Sequence, residues 1–166
     1  TPRTMKKTFI ILCLLVMCLM TIAQTPCPQV IPALQEWKGA KGTLSLPAQG
    51  SIVINPSDET ALKKTASILV EDLKELMGWE YTITTGKAKK NDIYLSLSQP
   101  DEQLGKEGYV LAINNKVSIE APTAQGVFWG TRTLLQMLHH QKAKLAKGTT
   151  RDWPEFPNRG FMLDVG

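Results

Sequence analysis

Residues 57–78 read Ser-Asp-Glu-Thr-Ala-Leu-Lys-Lys-Thr-Ala-Ser-Ile-Leu-Val-Glu-Asp-Leu-Lys-Glu-Leu-Met-Gly. Leu62, Ala66, Leu69, Leu73 and Leu76 recur at spacings of four, three, four and three, which is one apolar stripe along a helix. Lys63, Lys64, Glu71, Asp72, Lys74 and Glu75 cover the remaining surface. Ser57 is the expected N-cap, with Asp58 and Glu59 as acidic residues in the first turn. Gly78 is the expected stop, because only glycine enters the left-handed conformation after a helix without a steric penalty.

Outward from this helix the pattern changes to short strands. On its N-terminal side, Val30–Trp37, Thr43–Leu46 and Ser51–Asn55 are apolar stretches broken by Gly-Ala-Lys-Gly and Pro-Ala-Gln-Gly. On its C-terminal side, Tyr81–Thr84 and Ile93–Leu97 alternate, with a turn at Gly86–Asn91. Tyr109–Ile113 and Val117–Glu120 flank Asn114-Asn115-Lys116 and predict a hairpin. Thr123 then caps a second helix to about His140, with Val127, Thr131, Leu134 and Leu138 on one side. Gly126 and Gly130 share a face and would let that helix approach its neighbours closely. Gly148–Asn158, rich in Gly, Thr, Pro and charge, reads as a connector out of the domain. The predicted class is α+β: a mixed β-sheet with two main helices packed on it.

Composition excludes several functions. The 166 residues are 43% hydrophobic and 20% charged, as in an ordinary globular protein. The net charge of +4 is concentrated at the start, in Arg3, Lys6 and Lys7; the remainder holds 16 basic and 15 acidic residues. No basic face is left for a nucleic-acid partner.

Met5-Lys6-Lys7 followed by twelve uncharged apolar residues, Phe9 to Met20, and then Thr21-Ile22-Ala23, predicts a secretory signal peptide over 5–23 cut before Gln24. Twelve residues rise only ~18 Å against ~30 Å of hydrocarbon, so no stable membrane span is expected once it is removed. The predicted destination is export, to the periplasm or to the cell surface and beyond. Cys13 and Cys18 leave with the leader, and Cys27 alone cannot form an internal disulfide. Met17 before Cys18 and Pro26 before Cys27 argue against lipidation.

Candidate chemistry is sparse. His139 and His140 are adjacent, so they point to different sides of a helix and cannot share a metal as an i, i+4 pair would. Gly126-Val127-Phe128-Trp129-Gly130 matches neither common phosphate-loop spacing. Lys87, Lys89 and Lys90 form a small basic cluster on a predicted turn. Asp152, Glu155 and Asp164 lie in a proline-rich tail whose spacing does not pair them as acid and base. Composition and spacing therefore reach an exported α+β domain with no expected metal.

Three motifs carry the reading further. Residues 152–166, Asp-Trp-Pro-Glu-Phe-Pro-Asn-Arg-Gly-Phe-Met-Leu-Asp-Val-Gly, resemble the junction of bacterial β-N-acetylhexosaminidases of glycoside hydrolase family 20. There an Asp-x-Pro-x-Phe-x-x-Arg-Gly-x-Met-Leu-Asp segment leads from an N-terminal α+β domain into the first strand of a TIM barrel. Glu107-Gly108-Tyr109-Val110-Leu111 resembles the family's Glu-Gly-Tyr-x-Leu strand. Ala124–Gln136 resembles its Gly-x-x-x-Gly-x-x-Thr-Leu-x-Gln helix. Asn158 departs from the aromatic residue frequent before Arg-Gly.

The resemblance implies an accessory domain over 24–150, then a linker and first strand of a (β/α)8 barrel over 151–166. It implies removal of terminal non-reducing N-acetyl-hexosamine residues from glycans by substrate-assisted retaining catalysis, with no cofactor. The partners it implies are the chain's own catalytic barrel and such a glycan. The catalytic Asp-Glu pair, the aromatic sugar pocket and a sugar-gripping arginine belong after Gly166, so no catalytic residue is expected within this sequence. Asp164 alone, near the C-terminal end of the first barrel strand, would approach substrate, since barrel sites form at that face. Two alternatives stay open. A family 84 N-acetylglucosaminidase carries a similar domain, although its barrel opens Arg-Gly then Glu-x-Phe-Tyr-Gly, unlike residues 159–164. A free-standing exported carbohydrate- or protein-binding module is the other.

Overall fold

In the computed structural model, residues 25–141, 143–156 and 160 are described. The leader over 5–23, Arg159 and the expected barrel strand with Asp164 lie outside them. The elements are β1 (Glu36–Ser45), β2 (Gln49–Ile54), a 3-10 turn (Pro56–Asp58), α1 (Glu59–Met77), β3 (Glu80–Thr85), β4 (Ile93–Leu97) and β5 (Tyr109–Ile113). They continue with β6 (Val117–Ala121), α2 (Ala124–Gln141) and β7 (Lys144–Asp152). All seven strands form one mixed sheet in the order β1-β7-β5-β6-β4-β2-β3.

Two crossovers organise it. β2 and β3 pair in parallel and are joined through α1. β6 and β7 are both antiparallel to β5, hence parallel to each other, and are joined through α2. The two helices touch, tied by an ion pair between Asp72 of α1 and Arg132 of α2, so they share one face of the sheet. That face is apolar because strand side chains alternate. One transverse row runs Ile54, Leu95, Ile119, Leu111 and Thr150, all without solvent exposure. The opposite row runs Thr84, Val53, Tyr94, Ser118, Ala112 and Thr149, a more polar mixture in which only Val53 is buried.

The α1 stripe is buried as the spacing predicts at Leu62, Ala66, Leu69 and Leu73, but Leu76 is 55% exposed. The cause is length: nineteen helical residues run ~28 Å, whereas the six-residue strands beneath run ~20 Å. The last turn overhangs the sheet. Gly78 ends the helix at φ 69°, its N–H donating to the Lys74 carbonyl at 3.0 Å.

Three other expectations are corrected. The cap position is Asp58 rather than Ser57, and its side chain does not cap. Asp58 instead accepts from the Leu97 N–H at 2.9 Å, from Asn55 at 2.9 Å and from the Ser57 hydroxyl at 2.9 Å, stitching α1 to the end of β4. Val30–Trp37 and Thr43–Leu46 are not separate strands. Glu36–Ser45 is one strand along β7 whose register shifts between Gly39 and Thr43, so Gly-Ala-Lys-Gly is a bulge, not a turn. Val30 to Gln35 lies outside the sheet, and Gln136 of α2 clamps it by accepting from Ile31 N–H at 2.9 Å and donating to its carbonyl at 3.0 Å. Finally, Gly148–Asp152, read as connector, is the second half of β7, between β1 and β5.

Acid should weaken this arrangement. Burial pushes the Asp58 carboxyl up, but the bonds from Leu97, Ser57 and Asn55 outweigh it and hold the group below its ordinary value. The Arg151 guanidinium, with the Leu104 N–H, does the same for Asp101. Both folded values lie below the unfolded ones, so their stabilisation is full above about pH 4 and is lost as pH falls through the folded values. The thermal midpoint should be flat between about pH 5 and 7 and decline below about pH 4. A midpoint that rises on acidification would contradict these assignments.

Candidate functional site

The three sequence motifs meet where β7 ends. Tyr109, the first residue of β5, directly faces Asp152, the last residue of β7. Its hydroxyl donates to Asp152 Oδ2 at 2.7 Å and lies 2.5 Å from the Thr133 hydroxyl of α2. The other carboxylate oxygen, Oδ1, accepts the Gln35 N–H at 3.0 Å. Burial, together with the neighbouring Asp152 charge, pushes the Tyr109 phenol far above its ordinary value despite the Thr133 bond, so it stays neutral.

Glycines make this convergence possible. A side chain on Gly108 would lie 2.9 Å from the Asp152 carbonyl, and one on Gly126 would meet the Gly108 carbonyl. α2, the start of β5 and the end of β7 are thus stacked backbone on backbone, as the shared face of Gly126 and Gly130 predicts. Thr123 caps α2 by accepting the Gly126 N–H at 3.0 Å and donates its own hydroxyl to the Lys106 carbonyl. Gln125 donates to Glu107 at 2.8 Å. On the open face, Arg151 grips both oxygens of Asp101, at 2.8 and 2.7 Å, and stacks on Trp153 with 5.5 Å to the ring centroid.

The remaining candidates stay apart. Asp152 is committed to structural donors, Glu155 is exposed, and Asp164 falls outside the described residues. His139 and His140 are exposed in the last turn of α2. Among the described residues, no three His, Cys, Asp or Glu side chains are grouped to hold a metal ion. Lys87, Lys89 and Lys90 are solvated; an open groove beside them is lined by Asn55, Tyr94 and Lys116. Cys27 is a free, exposed thiol. No helix among the described residues is long and apolar enough to cross a membrane. The Tyr109–Thr133–Asp152 contact was missed by residue-level reading, although each member lies in one of the three quoted motifs. Its arrangement can fix the path by which the chain leaves the sheet; it offers no acid facing a base.

A mixed seven-stranded sheet with both helices on one face, closed by this junction, defines an α+β domain. The chain belongs to glycosyl hydrolase family 20, whose domain 2 model matches residues 27–153. It is 33% identical over 138 residues to a lacto-N-biosidase of Bifidobacterium bifidum, covering 82% of this chain and 12% of that protein. It is 34% identical over 115 residues to a beta-hexosaminidase of Porphyromonas gingivalis, covering 63% of this chain and 15% of the relative. The family 20 β-N-acetylhexosaminidase of Streptomyces coelicolor superposes with a TM-score of 0.66 at 26% identity, over 81% of this chain and 28% of that one. The sequence therefore spans less than a third of each of these relatives. A family 84 structure superposes equally well, TM-score 0.66, but at 14% identity this likeness is one of fold alone.

Proposed function

We propose that this is the N-terminal, non-catalytic domain of an exported β-N-acetylhexosaminidase. Residues 5–23 act as the leader, 24–150 as the support domain, and 151–166 as the link and first strand of a (β/α)8 barrel. That barrel removes terminal non-reducing N-acetyl-hexosamine from glycans. The sugar's acetamido oxygen attacks its own anomeric carbon, a barrel carboxylate orients the acetamido group, and a glutamic acid protonates the departing oxygen and then activates water. Asp164 lies near the substrate face in this reading, while Asp152 and Glu155 do no chemistry.

One observation carries the proposal: the family motifs, distant in sequence, supply Tyr109, Thr133 and Asp152 to one network at the point of chain exit. The relatives' hexosaminidase activity and greater length support it. A lacto-N-biosidase activity, as named for the Bifidobacterium relative, is the second reading, favoured by the longer match of 138 against 115 residues.

The test uses full-length protein recovered from the periplasm or medium. Its N-terminus should fall at or near Gln24, and it should cleave an aryl N-acetyl-β-glucosaminide, with an aryl lacto-N-bioside separating the two readings. Residues 24–166 alone should be inert on both. Turnover by that fragment, lost in Asp164→Asn, would overturn the division of labour. An inert full-length protein that binds N-acetyl-hexosamine polymers would favour the binding-module alternative.

A further inference from the structure

The two edges of the sheet are built differently. β1, at one edge, carries Glu36, Lys38 and Lys41, and its ladder with β7 is broken by a bulge between Gly39 and Thr43. The Thr25 N–H also donates to the Ala40 carbonyl at 3.4 Å. Charges, a bulge and a covering segment are the devices that keep an edge from pairing with another chain. β3, at the other edge, reads Glu-Tyr-Thr-Ile-Thr-Thr. Its register with β2 is unbroken, no charge or proline follows Glu80, and Thr82, Ile83, Thr84 and Thr85 are exposed. Tyrosine, threonine and isoleucine all favour extended chain. This edge is unguarded.

Its unpaired side has a definite pattern. In a parallel ladder, alternate residues bond to the neighbouring strand. The Glu80 N–H donates to the Ala48 carbonyl at 2.8 Å and the Gly86 N–H to the Ile54 carbonyl at 3.1 Å, so Glu80, Thr82 and Thr84 bond towards β2. Tyr81, Ile83 and Thr85 therefore turn their N–H and C=O groups outward, and among the described residues no strand or loop meets them there. Ile83 sits midway between the other two. Two copies of β3 running antiparallel about an axis at Ile83 set Ile83 opposite Ile83 and Tyr81 opposite Thr85. Each such pair exchanges both of its bonds, so every outward group is satisfied.

The flanking chemistry favours the same arrangement. Antiparallel pairing brings Glu80 of one copy beside Lys87, Lys89 and Lys90, which follow the strand in the other. Parallel addition would instead stack Glu80 beside Glu80. The Ile83 side chain shares the helical face with Ile52 and is 37% exposed. Val70 and Met77, both only partly buried, lie on the flank of α1 opposite Asp72, which faces α2. An apolar margin thus borders the free edge.

We infer that β3 is a self-association edge: two copies of this chain join their sheets through antiparallel β3 strands in register at Ile83. The contact is two-fold and uses up both β3 edges, and the guarded β1 edges stop further growth, so assembly ends at a dimer. A strand pair with a narrow apolar margin lies at the low end of interface size, under ~1,200 Å² in total, so micromolar association is expected. The inference goes beyond the proposed function and is independent of it, since an inert protein would dimerise equally.

Sedimentation velocity of the full-length protein over a concentration series tests this, with circular dichroism as the check on folding. Wild type and Lys41→Glu on β1 should shift together from monomer to dimer. Ile83→Lys and Ile83→Glu each set like charges against each other at the axis and should weaken self-association roughly tenfold or more. An equimolar mixture of the two should regain the dimer, because the facing charges then have opposite sign. Thr85→Pro serves if both Ile83 variants misfold. It deletes one outward N–H at an exposed position, removes no bond to β2, and should weaken the dimer in the same direction. A monomeric wild type, or a dimer that persists in the β3 variants, would overturn the inference. So would a mixture that associates no better than either variant alone, or a dimer lost in Lys41→Glu.

Discussion

Gly126→Ala is expected to destabilise the domain by about 2–3 kcal/mol, against the roughly 1 kcal/mol gain that helix propensity assigns to the same change. The two effects have opposite signs, and geometry decides between them. A methyl group at position 126 would run into the Gly108 carbonyl oxygen and stand 2.8 Å from Ala121 Cβ. The carbonyl is backbone at the start of a buried strand, so it cannot rotate away as a side chain would. Either α2 lifts from the sheet, unpacking Val127 and Leu134, or β5 shifts and pulls Tyr109 from Asp152. Gly130→Ala meets side chains instead, Ile119 at 2.5 Å and the Tyr109 ring at 3.1 Å, and should cost less, about 1–2 kcal/mol. Urea unfolding followed by circular dichroism measures both. A neutral or stabilising Gly126→Ala would mean that α2 stands further from β5 and β6 than the structure places it.

Legibility in the sequence followed apolar periodicity. α1, the β5–β6 hairpin and α2 carry regular stripes with turn or cap residues at their ends, and each forms where those signals lie. β7 carries none, because Gly148 and Thr150 fill inward positions where Val or Ile would have announced a strand. The reason is packing: the Trp37 ring of β1 lies across Gly148 and leaves no room for a side chain, so one strand's bulk hides its neighbour's pattern. β1 reads as two strands for a related reason, since a bulge through Gly42 at φ 92° uses the same residues as a turn. Leu76 shows the converse. Its stripe position is right, but periodicity says nothing of where the sheet beneath stops. At the junction, the motifs identified Tyr109 and Asp152 as residues of interest. Spacing could not reveal that they oppose each other across β5 and β7, because β7 itself was unseen.

Asp152→Ala should cost about 2–3 kcal/mol, the largest loss expected from any single polar truncation here. Asp152 accepts from two sources, and they differ in what replaces it. Gln35 is exposed, so water can take its N–H and little is lost there. Tyr109 is 3% exposed, and its hydroxyl would be left with Thr133 alone in a space closed to solvent. Most of the cost is therefore that of a buried phenol half deprived of partners. Tyr109→Phe removes the donor instead and should cost less, about 1–2 kcal/mol, since partly exposed Asp152 can turn to water. Because both changes break the same bond, the double variant should fall short of the sum by about 1 kcal/mol. Asp152→Asn should retain most of the stability: its amide oxygen can still accept from Gln35, and its NH2 can donate to Tyr109 while the phenol donates to Thr133. Chemical unfolding of the four variants settles the matter. Strict additivity, or an Asn variant as weak as the Ala one, would show that Asp152 acts through its charge alone and that the exit is not held by this network.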